Sequence, residues 1–209
     1  MKYFLGLDLG QSSDYTALVI AERIPAEKPS YHLRHIQRFK LGTPYPEIVE
    51  SVKTLTETPT LQREAVLAVD ATGVGAPVVD MFTAAKLPCD LYAISIHGGD
   101  KVTHEGYDYR VPKRDLVSVV QVLLQSSRLK IAEGLPETKT LVRELLNFKV
   151  KIDPQTAHDS YSAWRENIHD DLVLATALAL WLAEEVEVEV PSVAVPVHEL
   201  WTPSRWKMG

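Results

Sequence analysis

The sequence has almost no cysteine: Cys89 is the only one in 209 residues. A single thiol excludes an internal disulfide and a zinc site built from cysteines, and we expect a buried free thiol. No run of about 18 apolar residues occurs, which argues against a membrane span. The N-terminus leads directly into a predicted strand that contains Asp8, which is not typical of a signal peptide. The seven histidines include no pair at metal-binding helical spacing.

The composition, 45% hydrophobic and 24% charged, is typical of one compact domain with a real core. A net charge of −6 argues at first against nucleic acid. However, acidic residues are concentrated in the last 26 positions, and five others are Asp8, Asp14, Asp70, Asp170 and Asp171. If those five surround metal ions, the rest of the predicted domain is slightly basic. The net charge therefore does not exclude a protein that binds nucleic acid.

Hydrophobic periodicity predicts an α/β fold with a five-stranded mixed sheet and helices on both faces. The predicted strands are 2–10, 16–22, 31–39, 64–70 and 91–96. The predicted helices are 44–56, 77–86, one beginning at 112, 138–148 and 168–185. A polar loop is expected at 97–111 and a hairpin at 149–153 and 160–165. We expect one domain over 1–185, followed by a tail, 186–209, that is ordered only when it docks.

The first strand carries an unusual carboxylate. Alternation places Phe4, Gly6, Asp8 and Gly10 on one face. A buried carboxylate needs a partner or a metal ion, and the flanking glycines leave room for something to approach. Alternatively, Asp8 simply ends the strand and caps a turn.

Two further acidic positions converge on Asp8. Asp70 ends a buried strand predicted to be the parallel neighbour of strand one, and Asp170 and Asp171 open an apolar helix. Ligand sites in open α/β sheets gather at the carboxyl ends of the strands. Carboxylates this close repel unless divalent cations lie between them, and oxygen ligands favour Mg²⁺ or Mn²⁺. Each position also has a structural explanation, because Asp70 could be a turn residue and acids favour helix N-termini.

These motifs together resemble a known family. Gly6-Leu7-Asp8-Leu9-Gly10 with Asp14, Asp70 before Ala71-Thr72-Gly73-Val74-Gly75, and His169-Asp170-Asp171-Leu172-Val173-Leu174-Ala175 are similar to motifs of the nuclease domain of phage large terminases. The resemblance covers about 1–185. It implies an RNase H-like fold related to Holliday-junction resolvases, and an endonuclease that cuts concatemeric double-stranded phage DNA during packaging in the cytoplasm of an infected or lysogenic bacterial host.

By this resemblance, Asp8, Asp70 and Asp171 are metal ligands, and Asp14 and Asp170 are supporting or second-metal acids. The implied chemistry is hydrolysis with two Mg²⁺ or Mn²⁺ ions, giving a 5′ phosphate and a 3′ hydroxyl. The implied partners are a terminase ATPase domain, a small terminase subunit and a portal. The phosphate-binding loop Gly-x-x-x-x-Gly-Lys-Ser/Thr is absent, so we expect the nuclease part alone or a stand-alone relative.

Helix geometry distinguishes the two adjacent acids. Neighbouring helical residues point about 100° apart, so both cannot face one ion equally. Asn167 and Asp170 have capping-box spacing, which predicts a structural role for Asp170. Asp171 shares a stripe with Ala175, Leu178 and Leu182, so it is predicted to face the strand ends.

DNA contacts are predicted around the polar loop and the helix that follows it. Loops beside a site commonly hold substrate, although surface solvation explains such side chains equally well. The candidates are Lys101, His104, Arg110, Lys113 and Arg114, with a second candidate edge at Lys149, Lys151, Trp164 and Arg165.

Two other functions stay open. Gly6 to Ser13 also resembles the first phosphate-binding turn of actin-like sugar kinases, but those proteins need a second such domain. A catalytically inactive RNase H-like module that only binds DNA or a packaging partner is the non-enzyme alternative.

Overall fold

The structure, a computed structural model, describes residues 2–10, 14–73, 75–151 and 169–185. The second half of the predicted hairpin (160–165), Asn167 and the predicted tail (186–209) lie outside the described residues. Eight strands form one mixed sheet in the order β6-β7-β5-β4-β1-β2-β3-β8. The strands are β1 Lys2–Asp8, β2 Ala17–Ile24, β3 Ser30–Arg38, β4 Ala65–Asp70, β5 Asp90–His97, β6 Thr103–Glu105, β7 Asp108–Pro112 and β8 Leu129–Ile131.

The five predicted strands form the continuous central block β5-β4-β1-β2-β3. The predicted number of strands, five, is too low. Three short strands extend the sheet, β6 and β7 at one edge and β8 at the other. β6 and β7 lie in the predicted polar loop, where Gly106 adopts a positive φ of 59° in the connecting turn. Strands of three to five residues with exposed side chains lack the apolar alternation by which strands are recognised.

The helices are α1 Tyr45–Thr56, α2 Gly75–Ala85, α3 Lys113–Gln125, α4 Thr138–Lys151 and α5 Asp171–Glu185. α1 and α2 pack on the sheet face that carries Leu5 and Leu7, whereas α3, α4 and α5 pack on the face that carries Phe4. The prediction of helices on both faces is confirmed. The first half of the predicted hairpin is wrong, since α4 continues through Lys151.

Helix α5 is buried against the centre of the sheet, mainly over β1 and β2. It is apolar nearly all round, and Leu172, Ala175, Leu178 and Leu182 are fully buried. A Cβ on Gly6 would lie 1.9 Å from the carbonyl oxygen of Ala175. The space beside Gly6 is therefore occupied by the helix backbone. The glycine allows α5 to approach β1 closely.

Strand direction decides which residues share an edge of the sheet. β1, β4, β5 and β7 are mutually parallel, so their carboxyl ends lie at one edge. α5 begins at that same edge and runs back across the sheet, because Asp171 acts electrostatically on Asp8 while Ala175 and Ala179 lie over Gly6. Within the described part of the chain, none of the helices is long and apolar enough to cross a bilayer.

Candidate functional site

Asp8 and Asp70 end the two central parallel strands side by side. The register pairs Leu7 with Val69, so the next residues along are the two aspartates. Both are 8% exposed, and their carboxyl groups are within hydrogen-bonding reach. Burial raises the pKa of Asp8 well above its ordinary value, and repulsion by Asp70 adds to that shift. Two neighbouring buried carboxylates oppose each other's ionisation, and a cation between them would relieve that repulsion.

The turn after β4 fixes the position of Asp70. Its Oδ1 accepts a hydrogen bond of 2.7 Å from the amide of Thr72, and the Thr72 hydroxyl accepts one of 2.7 Å from the amide of Ile96. The predicted turn role of Asp70 is therefore real, and it occupies one carboxylate oxygen. This bond orients the carboxylate at the strand end, and the turn itself is tied to β5.

Asp171 is the first residue of α5, and its side chain is 7% exposed. Its charge and, more weakly, that of Asp170 raise the pKa of Asp8. The half-buried Asp170 and the exposed Asp14 lie around the same centre, since Asp14 in turn raises the pKa of Asp171. The structure thus brings together all five acids singled out in the sequence.

The capping box predicted for Asp170 is wrong in its geometry. The helix begins at Asp171, so Asp170 precedes it, and the Asp170 carbonyl accepts the amide of Leu174. Glu144 of α4 caps the helix instead: its Oε2 accepts the amides of Leu172 at 3.2 Å and Val173 at 3.3 Å. A capping acid from another helix cannot be recognised by local spacing.

Arg38 is the other side chain that the sequence reasoning missed. This residue ends β3, and its Nη2 donates to Asp171 Oδ2 at 3.0 Å and to Glu144 Oε1. The guanidinium also lies 4.6 Å from the ring centre of Tyr15. Burial raises the pKa of Asp171 above its ordinary value, and Arg38 opposes that shift without cancelling it.

A signal for both residues does exist in the sequence. On β3, Arg38 shares the alternation of Ile36, which faces α5 in the core. On α4, Glu144 lies between the buried Leu141 and Leu145 at helical spacing. A charged residue at a core-facing position needs a buried partner, and here the two are partners of each other.

The donor set suits a hard divalent cation. All five acids offer oxygen, and Mg²⁺ and Mn²⁺ prefer such ligands. A cation between Asp8 and Asp70 would relieve the repulsion that raises the pKa of Asp8. Nevertheless, no three His, Cys, Asp or Glu residues among the described ones are arranged to hold an ion, and the carboxylate of Asp171 is paired with Arg38. The residues fit a metal centre whose third ligand has to leave an arginine.

The predicted DNA-contacting residues divide into two groups. Lys113 and Arg114 begin α3 directly after β7, at the carboxyl edge, and Lys101 is exposed just beyond β5. The strand before them, β7, lies two strands from β4, or about 10 Å along the sheet. Arg114 already donates to Asp100 Oδ1 at 2.6 Å.

His104 and Arg110 lie on the β6–β7 hairpin, and both are exposed. The His104 ring stacks on Tyr109 at 4.8 Å, and Tyr109 meets Trp181 edge-on at 5.5 Å. Trp181 is ten residues along α5 from Asp171, or about 15 Å. Thus His104 has a packing contact far from the acids.

Comparison with known proteins identifies the family and the fold. Residues 5–182 match the model of a family described as the terminase RNaseH-like domain. The fold is similar to the large terminase nuclease of thermophilic phage G20c, with 18% identity, a TM-score of 0.56, and coverage of 89% of this chain and 83% of that one. It is also similar to the large terminase of bacteriophage HK97, with 14% identity, a TM-score of 0.54, and coverage of 86% of this chain and 39% of that one.

A search of curated proteins gave no match. The family match spans most of the chain, from within β1 to within α5, and therefore includes Asp8, Asp70 and Asp171. It selects the terminase resemblance over the sugar-kinase one, and the expected RNase H-like fold is confirmed. The chain belongs to the terminase RNase H-like domain family.

Proposed function

We propose that this chain is a metal-dependent endonuclease domain that cuts double-stranded phage DNA during genome packaging. The observation that carries the proposal is the convergence of Asp8, Asp70 and Asp171, from β1, β4 and α5, at one edge of the sheet in a member of this family. Buried acids with raised pKa values in such a position are typical of functional sites.

In this proposal Asp8, Asp70 and Asp171 are the metal ligands, and Asp14 and Asp170 support them or hold a second ion. Two bound Mg²⁺ or Mn²⁺ ions would activate a water and stabilise the leaving oxygen. The net reaction joins the water oxygen to phosphorus and breaks the bond to the 3′ oxygen. The products are a 5′ phosphate and a 3′ hydroxyl.

The protein's own contribution is to place and protect these carboxylates. The amide of Thr72 orients Asp70, the first turn of α5 places Asp171, and low exposure keeps bulk water from Asp8. Fixed, partly desolvated charges act more strongly on a reacting phosphate than solvated ones do.

DNA would lie along the carboxyl edge, with Lys101, Lys113 and Arg114 on its phosphates. His104 and Arg110 would contact a more distant part of the duplex. Phosphate contacts of this kind give weak, salt-dependent binding with little base preference. We further propose that the domain acts in the host cytoplasm together with a terminase ATPase domain, a small terminase subunit and a portal.

Nicking of supercoiled plasmid tests the proposal. The wild-type protein should nick in Mg²⁺ or Mn²⁺ and stop when the metal is chelated, and Asp8→Asn should be inactive. Glu22→Gln is the matched control, because Glu22 is an equally buried acid (4% exposed) on the adjacent strand, paired with Tyr3 at the other end of β1. It should nick normally.

Wild-type protein that binds DNA but never nicks would favour the inactive binding module. Activity in Asp8→Asn would contradict the ligand assignment. A melting temperature that falls in metal-free Asp8→Asn would identify Asp8 as a structural residue, since removing one charge from a repelling cluster should leave stability unchanged or higher.

A further inference from the structure

We propose that Arg38 is a positioning residue that holds Asp171 in the metal-free protein and releases it when a divalent cation binds, while Glu144 keeps the guanidinium paired. The inference rests on the proposed function, because it requires that the acids bind a metal ion. Arg38 would then set how readily the site loads, without touching DNA or the ion.

The geometry of Arg38 is that of a shared, incompletely satisfied cation. One nitrogen, Nη2, serves both Asp171 and Glu144. Its Nε is buried and has no hydrogen-bond partner among the residues that the structure describes. The side chain is only 13% exposed, so water compensates little. An arginine held this way can lose one of its two acids more easily than an arginine in a two-bond pair with a single carboxylate.

Glu144 is fixed independently of the metal site. Its Oε2 caps α5 by accepting the amides of Leu172 and Val173, and its Oε1 accepts from Arg38. The side chain is 6% exposed. When Asp171 turns to a cation, Arg38 still has a buried anionic partner. Without Glu144, release of Asp171 would leave a buried guanidinium unpaired, which is strongly unfavourable.

The surrounding charge favours exchange over permanent pairing. Asp171 and Asp8 repel each other, and Asp14 also acts electrostatically on Asp171. Arg38 is the strong cation that the structure places on Asp171, with His169 Nδ1 at 3.9 Å. A guanidinium and a divalent cation on one carboxylate repel each other. Metal loading and the Arg38–Asp171 pair therefore compete.

Two substitutions should change metal affinity in opposite directions. Arg38→Gln removes the competitor, so it should bind Mn²⁺ about tenfold more tightly, a change of about 1.4 kcal/mol. Glu144→Gln keeps an oxygen for the helix amides but removes the second anion. Arg38 then depends on Asp171, and Mn²⁺ binding should weaken severalfold. A purely structural role would not give opposite signs.

Calorimetric Mn²⁺ titration of the full chain at pH 8, where Glu144 is ionised, measures this without DNA, and melting at the same pH with and without Mn²⁺ supports it. Metal-free Arg38→Gln should melt lower than wild type, yet gain more from Mn²⁺. Arg34→Gln is the control: Arg34 lies four residues earlier on β3 and pairs with Glu22 at 2.6 Å. Its loss should leave the Mn²⁺ affinity unchanged.

Unchanged or weaker Mn²⁺ binding by Arg38→Gln would overturn the inference while leaving the proposed function intact. If Arg38→Gln does not fold, Glu144→Gln decides alone, and equal or tighter binding would overturn the inference. Wild-type protein that binds no Mn²⁺ would overturn the proposed function, and this inference with it.

Discussion

The two ends of helix α5 carry the same three kinds of side chain with different charge balance. At its C-terminal end, Arg128 donates to Glu184 at 2.6 Å and lies 5.7 Å from the ring centre of Tyr31, whose hydroxyl also donates to Glu184. The cations there at least balance the anion, since Arg23 as well as Arg128 acts electrostatically on Tyr31. Glu184 is also 34% exposed, so solvent shares its charge.

At the N-terminal end, Arg38 donates to Asp171 and lies over the ring of Tyr15, but the anions outnumber the arginine. Glu144 shares the guanidinium, and the pKa of Asp8 is raised by the neighbouring carboxylates. An arginine, an acid and a tyrosine form a purely structural contact when their charges balance. Uncompensated buried acids lower stability, and proteins retain them mainly at functional sites.

Removing an acid from each end should separate these roles most sharply. Asp171→Ala should lower the nicking rate by at least about 10³-fold, or about 4 kcal/mol of transition-state stabilisation, with near-normal stability. Glu184→Gln should nick normally and melt lower. Nicking rates and thermal midpoints of both variants check this. A Glu184→Gln variant that loses activity would remove the functional difference between the ends.

Asp170→Ala sharpens the same comparison within the N-terminal end. It should keep measurable nicking activity and cost less stability than a lost helix cap, under about 1 kcal/mol, because Glu144 and not the Asp170 side chain accepts the first amides of α5. The same two measurements apply. If Asp170→Ala is inactive and Asp171→Ala cuts normally, the ligand assignment moves by one residue.

Between the two ends, the approach of α5 to β1 depends on Gly6. Gly6→Ala places a methyl group 1.9 Å from a helix carbonyl oxygen and 2.7 Å from the Ala179 amide, so we expect a loss of about 3 kcal/mol or more. Denaturant unfolding measures it. Gly98→Ala, where no atom lies within 4 Å of the added carbon, is the matched control and should be nearly neutral.

Glu144 should give the N-terminal end a pH dependence of stability. Burial raises its pKa from 4.5 to about 7, against the opposing effect of Arg38. A raised folded-state pKa means that the folded protein binds the proton more tightly, so this stability is present below about pH 4.5 and is lost as pH rises toward 7. We expect the free energy of unfolding to fall by about 2 kcal/mol over this range. The full pKa shift would correspond to roughly 3 kcal/mol, and partial exposure to solvent reduces it.

Melting of wild type and Glu144→Gln at pH 5 and pH 8, without metal, measures this effect. The melting temperature of the variant should rise relative to that of the wild type as pH rises, because glutamine does not ionise. A constant difference between the two proteins across that range would contradict the raised pKa. Glu184→Gln, at the other end of α5, serves for comparison.

The smallest effect concerns DNA. Replacing Lys113 and Arg114 by Gln together should weaken duplex binding severalfold at low salt and reduce its salt dependence, because each phosphate contact releases counterions. Lys130→Gln, an exposed lysine on β8 at the opposite side of the sheet, should bind as wild type. Fluorescence titration at two salt concentrations checks both. Equal losses in the two variants would indicate general charge attraction.

Much of the fold follows from local pattern. Continuous apolar runs predicted β4 and β5, alternation predicted β3, and an all-apolar stretch predicted a buried α5. The short strands β6, β7 and β8 were missed, because they are held by neighbours in the sheet and not by their own residues. The pattern of 149–153 predicts a hairpin strand, yet α4 continues through Lys151, because the packing of a helix cannot be read from its last three residues.

By itself, the sequence determined that acids stand at the ends of β1 and β4 and at the start of α5, since strand ends and helix starts have local signatures. Only the tertiary structure decided that Arg38 and Glu144 meet Asp171, 133 and 27 residues away in the chain. Partners of buried charges are chosen by which elements pack together. The spacing of residues along the chain does not show which elements will pack together.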